Sequence, residues 1–155
     1  MKCNKPMARL IAATGAAVLV IAALPALAIE PFNATYQANY MGMRAQAEMT
    51  LAQEADDRWK YGLEDTGAGA RLEQVTTFEA DGEQWRPVSS SDSQRGESGI
   101  AAMLLKNREV KTAYDWNAGE ARFSGDVRDG QAGPVKLQPG DLDGMLMNLV
   151  LVRDV

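Results

Sequence analysis

The sequence has no histidine, and its one cysteine, Cys3, lies close to the N-terminus. Imidazole bases, thiolate nucleophiles and histidine-bearing zinc sites therefore lack the residues that would build them. No glycine-rich phosphate-binding motif is present. The net charge is −5, and no run of lysine or arginine forms a local basic patch. The sequence thus predicts no cofactor, no metal site and no nucleic-acid partner.

Carboxylates and serines remain as chemically active groups. Acids stand in pairs at 56–57, 64–65 and 141/143, and paired acids can cleave glycosides. These pairs fall at predicted turns and at a predicted helix start, where acids commonly solvate or cap the backbone. Ser98 has neither the spacing of a nucleophile elbow nor a lysine three residues later. We therefore expect no catalytic residue and no enzyme activity.

Residues 1–28 have the layout of a secretory signal peptide. Three basic residues precede an uncharged run at 10–23, and Ala26-Leu27-Ala28 offers a cleavage site before Ile29. An uncleaved anchor is the alternative, but the run is shorter than the ~20 residues that span a bilayer, and Pro25 interrupts its continuation. The sequence predicts export by the general secretory route to the periplasm, with membrane contact only through the signal peptide.

Cleavage would leave residues 29–155 as a single domain of 127 residues. It would carry thirteen basic and twenty-one acidic residues, a net charge of −8, and no cysteine. Such a surface repels phosphate backbones and anionic lipid headgroups. No disulfide could form even in an oxidising compartment, so the hydrophobic core alone must stabilise the domain.

Alternation of apolar and polar residues dominates the mature chain and predicts half-buried antiparallel strands. The alternating segments are 32–40, 43–51, 59–63, 110–116 and 121–127. The segments that begin at Arg71, Gln84 and Gln131 are expected to add strands. The polar stretch 88–95 is typical of an edge strand or of a strand that lines a wet surface. Short turns are expected at Gly42, Asp81-Gly82, Asn117-Ala118-Gly119 and Asp129-Gly130.

Two segments depart from the alternation. The apolar run 100–105 predicts a connection that packs inward, with a buried strand or one helical turn as alternatives. Near the C-terminus, Asp141 is expected to cap a helix whose apolar residues recur at helical spacing. The chain then reaches Val155 without a glycine cap or a polar tail, which is typical of a fragment.

The sequence therefore predicts a mainly β fold. We expect a curved antiparallel meander sheet or an incomplete β-barrel, with one C-terminal α-helix packed on it and an N-terminal signal helix before it. The inward face is rich in methionine and aromatic residues, which either fill a core or line a cavity. The candidates for a ligand cavity are Tyr36, Tyr40, Met43, Met49, Trp59, Tyr61, Tyr114, Trp116, Met145 and Leu149.

The order of several short motifs resembles that of a known exported family. Residues 31–36 open a long hairpin, Arg86-Pro87-Val88 follows Asp81-Gly82, and 111–116 precede Ala118-Gly119 and the helix at Asp141. Over residues 30–152 this order resembles the exported bacterial family catalogued as domain of unknown function 3108. The resemblance implies a periplasmic β-rich protein that continues with more strands after the helix, and it implies no catalytic residue.

Two functions fit these features. The first is a non-enzymatic envelope protein that binds an apolar ligand, such as a lipid or an acyl chain, between sheet and helix. The second is an interaction or scaffold protein in envelope assembly, whose protein partner pairs with an exposed strand edge at 88–95. The first expectation follows from export and from the apolar inward face, and the second follows from the polar stretch 88–95.

Overall fold

A computed structural model describes residues 29–40, 42–81 and 84–153. The signal peptide predicted at 1–28, the turn predicted at Asp81-Gly82 and the chain end at Val155 therefore lie wholly or partly outside the described residues. In chain order the elements are β1 Phe32–Tyr40, β2 Met43–Gln53, β3 Arg58–Gly67, β4 Ala70–Asp81, β5 Gln84–Gly96, α1 Gly99–Leu104, β6 Arg108–Asp115, β7 Glu120–Gly125, β8 Val135–Lys136 and α2 Gly144–Arg153.

The eight strands form one open antiparallel sheet in which each strand pairs with its neighbours in the sequence. β1 and β8 lie at opposite edges. The mainly β fold, the antiparallel meander and the C-terminal helix are thus confirmed. Two-residue connections bring consecutive strands together, as at Ala68 and Gly69 between β3 and β4, where both residues have positive φ.

The register places the predicted apolar residues on one face of the sheet, which we call the inner face because α2 packs on it. One row of paired residues crosses seven strands: Phe32, Leu51, Tyr61, Thr76, Ser90, Thr112 and Phe123. The row is apolar on β1 to β3 and polar on β4 to β6. The inner face therefore changes character near its middle, where Thr76 is fully buried.

The core lies between the inner face and α2. Phe78 on β4 and Leu146 on α2 have no exposed surface, and their neighbours come from four adjacent strands and the helix. The buried cluster is Leu51, Trp59, Tyr61, Phe78, Trp85, Met145, Leu146 and Leu149. The prediction that the helix packs on the sheet through an apolar stripe is confirmed.

The polar stretch 88–95 is not an edge strand. It belongs to β5, which pairs with β4 on one side and with β6 on the other over 89–94. An interaction through an exposed edge at 88–95 is therefore wrong, since both edges of this strand are occupied. The alternative reading, a strand that lines a wet surface, fits Ser90 and Asp92, which line a polar hollow beside α2.

The run 100–105 does not pack inward. Most of it forms α1, whose residues are all at least partly exposed. A Cβ on Gly96 would collide with the carbonyl oxygen of Ala101, so the backbone of α1 lies directly against the end of β5. The helix contacts β5 through its backbone, and its large side chains lie outside the core.

Four local expectations also need correction. The segment after Gln131 contributes only the two-residue β8, and Asp129-Gly130 turns within a long connection from β7 to β8 rather than in a two-residue hairpin. The loop from β6 to β7 has four residues, 116–119, so Trp116 belongs to the turn. The cap of α2 is Asp143 and not Asp141, because Asp143 Oδ1 accepts the Leu146 N–H at 2.7 Å.

Candidate ligand site

A hollow of about 530 Å³ lies along one flank of α2, where the helix meets the sheet. We call it the tryptophan hollow. Its residues come from the start of β5, from the turn between β6 and β7, from the turn before α2 and from α2 itself. They are Gln84, Trp85, Arg86, Trp116, Pro139, Gly140, Leu142 and Val150. Its volume falls within the range of about 300–1,000 Å³ that small-molecule sites occupy.

Trp116 forms one wall of the tryptophan hollow. Its indole Nε1 donates a hydrogen bond to the Pro87 carbonyl oxygen at 2.7 Å, which fixes the ring against β5. The polar edge of the indole is therefore satisfied by protein, and the ring faces can contact apolar groups. The guanidinium carbon of Arg86 lies 5.9 Å from the ring centroid, a cation–π distance.

Trp85 and the helix complete the apolar lining. Trp85 is only 7% exposed, and its ring centroid lies 5.3 Å from that of Phe78 in the core. Leu142 and Val150 are half-buried and pack against the same core from the helix side. The hollow thus has a floor joined to the hydrophobic core and one cation, Arg86, among its lining residues.

A second, polar hollow lies on the other flank of α2. Thr76 donates its hydroxyl proton to Asp143 Oδ2 at 2.6 Å, and Gln74 Nε2 donates to Asp92 Oδ2 at 2.9 Å. Burial raises the pKa of the nearby Tyr114 phenol, and the charge of Asp143 adds to that rise. The contact between Thr76 and Asp143 ties the start of α2 to β4, in the middle of the sheet.

The ten predicted cavity residues do not line one site. Met49, Trp59, Tyr61, Met145 and Leu149 fill or flank the core. Tyr36 and Met43 are 53% and 54% exposed on β1 and β2, and the side chain of Tyr40 lies outside the described residues. Tyr114 lies beside the polar hollow, and only Trp116 lines the tryptophan hollow.

Within the core, Tyr61 shows why a polar aromatic residue is tolerated there. Its hydroxyl donates to the Met49 sulfur at 3.0 Å, and burial raises the pKa of the phenol above its usual value. The sequence was compatible with either a core position or a cavity wall for these residues. The structure assigns this pair to the core.

Sequence reasoning missed Trp85, Arg86, Leu142 and Val150 as site residues. The pairing of β4 with β5 shifts register between Thr77 and Phe78, so Trp85 joins the inner face although 88–95 shows no apolar alternation. The signal that could have found them is the pair Trp85-Arg86, an aromatic beside a cation, directly before Pro87.

Three of the acids weighed as members of catalytic pairs have other partners. Glu64 forms an ion pair with Arg71 at 2.8 Å, and Asp141 Oδ2 accepts the Gln138 N–H at 2.8 Å. Asp143 caps α2. Within the ranges the structure describes, no group of three or more acids or cysteines is placed to hold a metal ion.

Comparison of the chain with models of known families, with curated proteins and with solved structures finds no match. The resemblance to domain of unknown function 3108 therefore stays a prediction. Among the described residues, no helix has the length and apolarity needed to cross a membrane.

Proposed function

We propose that this chain is an exported periplasmic protein without enzymatic activity that binds an apolar ligand, such as a lipid or an acyl chain, between α2 and the sheet. The observation that carries the proposal is the tryptophan hollow. Its apolar lining suits a hydrocarbon body, and Arg86 suits an anionic head such as a carboxylate. The sequence of residues 1–28 supports export.

The position of the hollow supports a carrier role over a purely structural one. A ligand there would contact α2 through Val150, the turn before α2 through Leu142 and the sheet through Trp85, so it would extend the existing core. We also propose that the sheet curves around α2 as an incomplete barrel, because buried side chains of four adjacent strands share one core cluster with the helix. Such curvature would deepen the hollow.

Binding of a fluorescent fatty acid, cis-parinaric acid, tests the ligand. Trp116→Ala should weaken binding at least tenfold because it removes one wall of the hollow, and a loss of about 1.4 kcal/mol already corresponds to tenfold. Arg86→Gln should weaken displacement by oleate several-fold while displacement by oleyl alcohol is unchanged. Arg122→Gln, at an exposed arginine paired with Glu120, is the control and should bind as the unaltered chain does.

The protein should be purified from a periplasmic extract of cells that express the full chain. Native mass spectrometry of that material should show an adduct of lipid mass. Absence of the chain from the extract would contradict export. Absence of both the adduct and probe binding would contradict the ligand.

The free edge of β1 favours a second candidate, an interaction protein that acts by strand addition. Over the described residues β1 pairs only with β2, and none of its nine residues is charged or proline. Edge strands usually carry charges or proline that prevent pairing with other chains. We infer that β1, rather than 88–95, is the edge that an envelope protein partner would use.

Site-specific photocrosslinking in cells separates this edge from the sheet interior. A photoreactive residue at Thr35 on β1 should give one discrete adduct, and Gln37→Pro should remove that adduct by taking away an edge N–H. The same residue at Ser91 on the internal strand β5 is the control and should give none. Diffuse labelling from both positions would contradict strand addition.

A further inference from the structure

Among the exposed large apolar side chains of the described residues, those on α1 have the highest exposed fractions. Ile100 is 75% exposed, Met103 is 85% exposed and Leu104 is 80% exposed. Isolated exposed apolar residues are common, but three on one six-residue helix form a protruding apolar tip. Because none of the helix residues is buried, the core does not require these side chains.

The tip is held in place by backbone contacts. The N–H groups of Glu97 and Ser98 both donate to the Gly69 carbonyl, at 2.7 and 3.0 Å. The Gly96 N–H donates to Asn107 Oδ1 at 3.2 Å on the return side of the loop. The β3–β4 turn and Asn107, which directly precedes β6, thus hold the residues that lead into α1, so the exposed side chains sit on an ordered support.

Basic side chains lie beside this tip. Lys106, Arg108 and Arg128 line a hollow of about 300 Å³ together with one acid, Asp126. Asp126 already accepts the Glu109 N–H at 2.8 Å. Within the described ranges none of the three cations forms an ion pair. Other acids lie close by: Glu97 pairs with Arg71 at 2.7 Å, and Asp129 follows Arg128 in the sequence.

We propose that the α1 tip and these three cations dock the protein onto an anionic lipid bilayer. Apolar side chains can insert at the headgroup boundary while neighbouring cations contact anionic headgroups, and each cation near the surface strengthens binding about fivefold. A nucleic acid would leave the apolar tip in water. Without residues 1–28 the chain carries a net charge of −8, so the bilayer is bound only with this end of the sheet facing it.

This contact is separate from the tryptophan hollow. β5 begins at that hollow with Gln84 and ends beside α1 with Gly96, so the two sites lie at opposite ends of one strand. The proposed docking is a second membrane contact, since the sequence predicted membrane contact only through the signal peptide. Failure of one site therefore leaves the other intact.

Flotation of the exported protein, purified from the periplasmic extract, with vesicles tests the docking. We expect binding to vesicles of phosphatidylcholine with phosphatidylglycerol at three to one, and at least tenfold weaker binding to phosphatidylcholine alone. I100S/L104S should reduce binding to the mixed vesicles at least tenfold. The triple variant K106Q/R108Q/R128Q should do the same and should remove the dependence of binding on salt.

Matched variants distinguish the tip from general surface effects. M147S/L151S removes two exposed apolar side chains from α2, and K60Q/R122Q/K136Q removes three cations distant from α1. Both should float as the unaltered chain does. Binding of cis-parinaric acid and the thermal unfolding midpoint should be the same for the tip variants as for the unaltered chain, because α1 has no buried residue.

Three results would overturn the proposal: equal flotation with both kinds of vesicle, full binding by the I100S/L104S variant, or loss of binding in the control variants to the same extent. Sedimentation of the protein without lipid tests whether a second copy of the chain, rather than a bilayer, covers the apolar tip. A dimer of the unaltered chain that I100S/L104S dissociates would assign the tip to self-association instead.

Discussion

Leu146→Ala is expected to lower the free energy of unfolding by about 2–5 kcal/mol. Leu146 is fully buried on α2 and packs in the cluster that includes Phe78 and Trp59. Removal of its side chain leaves a cavity between helix and sheet, where the two layers cannot close without moving the whole helix. Urea unfolding monitored by tryptophan fluorescence measures the change, because Trp59 and Trp85 lie in the same core.

Met147→Ala is the matched control on the same helix. Met147 is 50% exposed, so its loss should change the free energy of unfolding by less than about 1 kcal/mol. Equal effects of the two substitutions would mean that α2 does not pack on the sheet through Leu146. Because Val150 on the same helix and Leu142 in the turn before it line the tryptophan hollow, Leu146→Ala should also weaken binding of the fatty-acid probe.

The sequence predicted the parts of the fold that depend on alternation alone. Phe32, Tyr61 and Phe123 each alternate with polar neighbours, and the register places all three on the inner face. In each case one face of the strand is water-exposed, so the pattern has period two. The β-hairpin turn at Gly42 could be predicted from that glycine alone, because it adopts the positive φ that the turn requires.

The middle of the sheet could not be predicted in this way. β5 is internal but almost wholly polar over 88–95, because Ser90 and Asp92 face a polar hollow rather than the core. A central strand usually carries apolar residues, so a polar one resembles an edge strand in sequence. The prediction that 100–105 packs inward was wrong for the opposite reason. Its apolar side chains are exposed, and α1 lies against the end of β5 through its backbone.

The candidate site was predicted only in part because side chains from distant segments form it. Trp116 was among the sequence candidates, and the turn after β6 brings it to Pro87, 29 residues away. Trp85 enters the inner face through the shift of register between β4 and β5, which no local pattern reports. Residues such as Trp59 and Met145 share the composition of a cavity wall, but they are packed into the core.

Asp143→Ala is expected to lower the free energy of unfolding by about 1–3 kcal/mol, since two hydrogen bonds are lost. One is the helix cap to the Leu146 N–H at 2.7 Å, and such caps contribute about 0.5–2 kcal/mol. The other comes from the buried Thr76 hydroxyl at 2.6 Å, which would be left without its acceptor. Asp141→Ala, at the residue that the sequence suggested as the cap, should cost less than about 1 kcal/mol because Asp141 Oδ2 only closes an exposed turn with Gln138.

A double-mutant cycle of Asp143→Ala with Thr76→Val measures the tertiary part of this contact. Valine replaces the hydroxyl with a methyl group of similar size, so the double variant no longer leaves a buried hydroxyl unpaired. The two substitutions should therefore cost at least about 0.5 kcal/mol less together than their separate effects predict. Strict additivity would mean that Asp143 only caps the helix. With coupling, the Thr76 hydroxyl links the start of α2 to the sheet, and that contact helps to hold Leu142 in place as a wall of the tryptophan hollow.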